Sequence, residues 1–250
     1  MRTSLNTVFI TGGGGGIGRG LAEAFHRLGN TVIIGGRREA ALSTVCEAHP
    51  GMSFVVMDVT SGESIRDGAH EVLARFPALN CVINNAGIQR AHDFSADTGI
   101  DEAAATEEIE ANLLGVVRIC SAFLPHLREQ PQATIVNISS GLAFVPMARV
   151  PVYCATKAAV HSLTVSLRRQ LRDTTVRVIE LIPPYVDTNL QQGRRNPRGP
   201  QPMPLAQFIE EAMAGLAGDA EEVAVGDARG LYASAGTGEA FRTVFSRMNG

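Results

Sequence analysis

At 250 residues, 45% hydrophobic and a formal net charge of −3, the chain is long enough to bury one sizeable core and carries no cation excess for nucleic acid or an anionic membrane. No apolar stretch reaches the roughly 18 residues of a spanning helix, and the first eleven residues hold no run of signal-peptide length. The four cysteines show neither CxxC nor metal-ligand spacing, so one domain over residues 1–250 is expected, cytoplasmic, with reduced thiols, no metal, no nucleic-acid partner and no membrane partner.

Residues 7–11 are a β-prone run that ends in five glycines, 12–16, followed by Ile17 and Gly18. Beyond them Leu21, Ala24, Phe25 and Leu28 recur at helical spacing up to Gly29, a helix stop. Apolar runs at 31–34, 53–57 and 79–83 predict three more strands, with helices over about 38–48 and 61–76 between them. After a loop at 88–99 the pattern predicts a long helix over 101–128, a strand at 133–139, a loop to 151 and a helix from 153 to about 172. A sixth strand at 176–182 is stopped by Pro183 and Pro184. Continuous apolar strands alternating with helices predict a doubly wound, Rossmann-like α/β fold whose parallel sheet is covered on both faces. Residues 187–204, rich in proline, glycine and arginine, read as a loop, part of a lid or substrate loop over about 187–217. Helices are expected at 205–216 and 220–234. The tail from Gly236 has no assignment, and the pattern does not resolve a seventh strand.

The glycine run sits between a first strand and a first helix, where glycines admit a pyrophosphate and the helix N-terminus favours its charge; a plain strand-to-helix turn would use the same residues. Gly13 to Gly18 also has nucleotide-triphosphate-loop spacing, but Arg19-Gly20 follows in place of Lys-Ser/Thr, which removes the phosphate-binding lysine and the magnesium-binding hydroxyl. At the end of the second strand, where an acid would hold a free ribose 2′-hydroxyl, stand Arg37 and Arg38. They favour NADP(H), with NAD(H) still open, and a solvated arginine pair is the alternative. Lys157 is the only lysine among 22 basic residues, and it lies four residues after Tyr153, so a helix would put phenol and ammonium on one face.

Thr11-Gly12, Gly16-Ile17-Gly18, Asp58-Val59, Asn84-Asn85-Ala86-Gly87, Asn112, Asn137-Ile138-Ser139-Ser140 and Tyr153-x-x-x-Lys157, in this order and at these separations, resemble the short-chain dehydrogenase/reductase family over roughly residues 5–190. The resemblance implies an oxidoreductase that interconverts a carbonyl and a secondary alcohol. Tyr153 would be its general acid/base and Lys157 the cation that lowers the phenol's proton affinity and binds the nicotinamide ribose. Ser140, thirteen residues before Tyr153, would orient the substrate oxygen, and Asn112 would hold a water through its carbonyl. Asp58 and Val59 would meet the adenine. Asn85, Ala86 and Gly87, with Asn84 beside them, would line the cofactor path, and Pro183, Val186 and Thr188 the nicotinamide end. Gln89, Phe144, Arg149 and Tyr185 would line the substrate pocket with Arg90, Val145 and Leu190, and Arg194, Arg195 and Arg198 could grip an anionic group. Three departures stand out: Pro183-Pro184 replaces Pro-Gly, Gly15 replaces a basic residue, and the tail lacks the usual seventh-strand ending. The last favours a homodimer through the helices of Asn112 and Tyr153 over a tetramer. The start at Asn84 to Gln89, together with Pro183-Pro184, is similar to a subgroup associated with D-alanine esterification of cell-wall polymers, which names no substrate.

Overall fold

In the computed structural model, which describes residues 1–191, 201–236 and 238–249, the apolar runs become parallel strands of one sheet. The strands are β1 (Thr7–Thr11), β2 (Thr31–Gly36), β3 (Ser53–Val56), β4 (Cys81–Asn84), β5 (Ala133–Ile138), β6 (Val176–Ile182) and β7 (Glu222–Ala224), in the spatial order β3-β2-β1-β4-β5-β6-β7. The order reverses between β1 and β4, which pair from Val8↔Cys81 to Ile10↔Ile83, and the crevice outside their carboxyl ends is where such sheets hold ligands.

Helices cover both faces. On one side α1 (Gly16–Arg27), α2 (Glu39–Ala48) and α7 (Leu205–Ala217) bury Leu21, Phe25, Leu42, Val45 and Phe208 against Val8, Ile10 and Ile34. On the other, α3 (Gly62–Arg75), α5 (Gly115–Glu129) and α6 (Pro151–Leu171) bury Ile65, Val72, Ile119, Phe123 and Val160 against Phe9, Ile33 and Val178. Local chemistry sets the helix starts. The Ser61 hydroxyl accepts from the Ser64 amide ahead of α3, Asp101 caps Ala104 ahead of α4 (Glu102–Ile109), and Pro151 opens α6.

Two expectations change, and the unassigned tail takes a form. The predicted helix over 101–128 is broken at Glu110–Leu114 into one wide π-turn that holds Asn112, between α4 and α5. The predicted helix at 220–234 is instead β7 followed by the short α8 (Ala228–Ala233): the register Leu181↔Val223 completes the sheet, and pairing outweighs the helical periodicity of the segment. The tail forms α9 (Glu239–Asn249), whose Asn249 amide hydrogen-bonds Ala148 and Pro146. Within the segment expected as a lid, Val186 bridges Met203, and α7 packs on α1 with Phe208, Ile209, Ala212 and Leu216 buried. Arg194, Arg195 and Arg198 lie outside the described residues.

Candidate active site

The crevice is built by a hydroxyl and a glycine run. Thr11 ends β1 with its Oγ1 accepting from the amides of Asn85 and Ala86, both at 3.0 Å, and the Asn85 side chain returns a bond to the Thr11 carbonyl at 2.8 Å. The turn after β1 is thereby clamped to the turn after β4. The clamp leaves no room for side chains: Gly12 has φ +70, and a Cβ on Gly18 would lie 2.4 Å from both Asn85 Nδ2 and the Gly12 carbonyl oxygen. Where α1 begins, the cap residue Gly15 offers no side-chain bond, the first turn holds no acid, and among the described residues nothing lies within 4 Å of a Cβ on Gly15. Free amides beside open space at a helix N-terminus fit a pyrophosphate. Thr188 lies beside Gly16, and Ile17 packs against the core beneath.

Arg37 and Arg38 follow β2 and are exposed. The Arg37 guanidinium has the Glu107 carboxylate near it at 3.7 Å, and Glu107 also pairs with Arg90. Asp58, after β3, accepts from the amide and hydroxyl of Thr60 at 2.9 and 2.8 Å, and Val59 packs beside Gly115.

On the opposite wall, α6 carries Tyr153, Thr156 and Lys157, all buried. Ser140 is close enough to the Tyr153 phenol to draw its proton affinity down, and the Ser140 Oγ accepts from the Leu142 amide at 3.1 Å. Lys157 donates from Nζ to the Ile138 carbonyl at 2.8 Å and stands 5.7 Å from the centre of the Tyr153 ring. Asn112 is held at both ends of its amide: Oδ1 accepts from Ile88, and Nδ2 donates to the Ile88 carbonyl and to Thr156 Oγ1. Gly87 faces this group, with Asn112 Oδ1 at 3.0 Å and Lys157 Nζ at 3.8 Å from the position of its missing Cβ. Tyr153, Ser140, Lys157, Asn112 and Gly87 therefore form one contact cluster facing the glycine crevice.

Burial dominates the electrostatics of this cluster. It pushes the Tyr153 phenol well above its ordinary value, with Ser140 pulling the other way, and it lowers Lys157 to about 8 against an opposing pull from Glu180. A phenol that holds its proton tightly and an ammonium that holds its proton loosely sit side by side.

Sequence reasoning missed a second buried group. Glu108, at the end of α4, is fully buried and accepts from the Arg90 amide and from His92 Nε2, each at 3.0 Å. Desolvation raises its proton affinity, and its charge in turn raises those of Tyr153 and Cys154. It ties the segment that bears Gln89 to α4, while the His92 amide bonds the Arg149 carbonyl. Around Tyr153 the lining is apolar, from Leu142, Met147, Val150, Cys154 and Leu190. Tyr185 and Val186 follow Pro183 at the far side, with the Tyr185 carbonyl accepting from Met203. Phe144, expected in the pocket, packs instead edge-on to His161 and Tyr232, in a separate cluster with Ile182 and Ala228. Arg149 is exposed.

Residues 6–199 match the sequence profile of the family described as short chain dehydrogenase. The chain is 42% identical over 253 aligned positions to an uncharacterized oxidoreductase, DltE, of Bacillus subtilis (strain 168), covering 100% of this chain and 98% of that protein. It is 34% identical to L-fucose dehydrogenase of Bos taurus over 73% of this chain and 67% of that one. Among solved structures, a short chain dehydrogenase from Burkholderia cenocepacia J2315 in complex with NADP superposes with a TM-score of 0.83 at 28% identity, covering 99% of each chain. An alcohol dehydrogenase from Thermococcus sibiricus complexed with 5-hydroxy-NADP gives 0.78 at 26% identity, over 88% of this chain and 95% of that one.

Proposed function

The chain belongs to the short-chain dehydrogenase/reductase family of oxidoreductases, and from that premise we propose an NADP(H)-dependent enzyme that interconverts a carbonyl and a secondary alcohol. The observation that carries this reading is the single cluster of Ser140, Tyr153 and Lys157, buried opposite an uncapped glycine-rich helix start. When bound, the nicotinamide cofactor supplies or accepts the hydride; every other task falls to side chains. Gly12, Gly16 and Gly18 give its pyrophosphate the approach it needs, and Asp58, Asn85, Ala86, Val186 and Thr188 frame its path. Ser140 holds the substrate oxygen beside the Tyr153 hydroxyl, which donates its proton to the forming alkoxide or takes it back in the oxidative direction. Lys157 offers the positive charge that makes a phenolate tolerable in this dry site, and Asn112 fixes the backbone around it. The apolar lining at Leu142, Met147, Val150 and Leu190 suits a substrate with a hydrocarbon flank.

A second reading, an NAD(H)-linked enzyme, is favoured by one contact: Glu107 already neutralises part of the Arg37 charge that a 2′-phosphate would use. We assign the assembly as a dimer through α5 and α6, whose exposed Val117 and Val165 a second copy would cover, and a solution mass of one chain would reject it. The enzymatic reading is tested by following NADPH absorbance with a panel of aliphatic and aryl ketones. We expect turnover that Tyr153→Phe lowers at least about 100-fold with cofactor affinity retained. No turnover of any panel member by protein that binds either cofactor would sink it.

A further inference from the structure

The chain buries a carboxylate that the proposed reaction does not use. Glu180 lies in β6 with its side chain fully inaccessible to solvent. Its Cα pairs with Asn137 on one side and Glu222 on the other, and Asn137 pairs in turn with Asn84. Four polar side chains thus form a row across β4, β5, β6 and β7, on the face that α6 covers: Asn137 donates to Thr164 of α6, and Glu180 Oε2 meets His161 Nδ1 at 2.7 Å. The second oxygen of Glu180, Oε1, is buried with no hydrogen-bond partner among the described residues. A carboxylate in that position is costly unless a positive charge shares the interior. Lys157 supplies such a charge one helical turn before His161, with Nζ on the carbonyl of Ile138, the residue next to Asn137 in β5.

We propose that Glu180, oriented by His161, is a positioning residue: a fixed counter-charge that keeps the buried Lys157 an ammonium, so that the lysine retains a charge to present to Tyr153. The surrounding charges support this assignment. Desolvation lowers Lys157 to about 8, and Glu180 is the carboxylate that opposes the fall. From α6 the site is faced by Tyr153, Cys154, His161 and Arg168, from the end of α4 by Glu108, from β7 by Glu222 and from α8 by Tyr232. Glu222 is spoken for, with one oxygen on Arg168 at 3.0 Å and the other on the Tyr232 hydroxyl. Glu108 is held by His92 and the Arg90 amide. Ligand-type atoms of His161, Glu180 and Glu222 do lie within 4.8 Å of one another, but with Arg168 in contact and both Glu222 oxygens engaged they form a charge network in place of a cation site.

The bearing of this pair on turnover rests on the proposed function, whereas the ionic partnership does not, and the test separates them. Because Lys157 is the only lysine, protein made with ε-¹³C-lysine gives one side-chain signal whose pH midpoint is its ionisation. Glu180→Gln should lower that midpoint by about one unit in protein that keeps its native circular dichroism. Where Glu180→Gln does not fold, His161→Leu, at a side chain 30% exposed, should move the signal the same way by less, since it removes the imidazole that orients the carboxylate at 2.7 Å and leaves the charge itself. An unchanged midpoint in the folded variant overturns the proposal, even with full turnover. A lowered midpoint alongside a native protein that turns over no carbonyl compound sustains the counter-charge and removes only the reaction.

Discussion

Replacing Gly12 by alanine should cost stability as well as cofactor affinity, by an amount that can be worked from its surroundings. The residue has φ +70, where an L side chain costs about 1–2 kcal/mol. A Cβ would also sit 2.8 Å from Asn85 Nδ2 and 2.9 Å from Ala86 Cα. Neither can retreat freely: Asn85 Nδ2 is bonded to the Thr11 carbonyl at 2.8 Å, and the Ala86 amide to Thr11 Oγ1 at 3.0 Å. Forced displacement of packed atoms adds about 1–3 kcal/mol. At about 2–4 °C per kcal/mol for a chain of this size, Tm should fall by about 4–20 °C. Gly15→Ala is the internal control, because its φ of −175 suits any residue and none of the described residues lies within 4 Å of the added carbon, so Tm should stay within about 2 °C. Scanning calorimetry of the two variants reads both numbers. Equal melting of Gly12→Ala and Gly15→Ala would refute the clamp between the two turns.

Lys157→Arg keeps a charge but replaces a compact ammonium, which donates to the Ile138 carbonyl at 2.8 Å from a buried position, by a planar fork of different reach, and turnover should drop at least about 100-fold; native rates would remove Lys157 from the mechanism. Arg37→Ala should weaken NADPH binding by about 10- to 100-fold and leave NADH almost unchanged, whereas Glu107→Gln should tighten NADPH; titration with each cofactor decides, and equal losses for both would reject the 2′-phosphate assignment. Stability should fall as pH rises from 9.0 toward about 11. Burial pushes Cys120 and Cys154 from 9.0 to about 11 and Cys81 to about 12, so the folded chain keeps protons that the unfolded chain loses in this window. Lys157 works in the other sense, because its lowered value makes the unfolded chain the better proton binder between about 8 and 10.5, but it is one group against three thiols and Tyr153. Thermal melts at increasing pH read the slope, and a rising Tm across the window would contradict the reasoning.

Much of the sheet was legible because a strand covered on both faces must be apolar along its length. Residues 7–11, 31–34, 53–57, 79–83, 133–139 and 176–182 all carry that signature. β7 escaped because Glu222–Ala224 is three residues long with one buried apolar side chain, and its identity comes from pairing with β6. The π-turn at Glu110–Leu114 escaped for another reason, since a single wide turn barely disturbs the apolar stripe that runs on into α5. At the site, ordered spacing picked out Asn112, Ser140, Tyr153 and Lys157, which the fold brings together. Glu180 could have been found, because an acid at the centre of an apolar strand asks for a partner. Glu108 and His92 could not: their pairing spans sixteen residues of loop and helix and has no periodicity.

The burial of Lys157 at 5% exposure also governs what reagents can see. With every other lysine-or-arginine position an arginine, acylating reagents and amine-directed crosslinkers meet no side-chain amine on the outside of the native fold. Acylation of Lys157 therefore waits for the crevice to open, and its rate is a clock for that opening. A ligand that closes the crevice slows the clock whether or not it is turned over, so protection of one amine can screen for compounds that occupy the site.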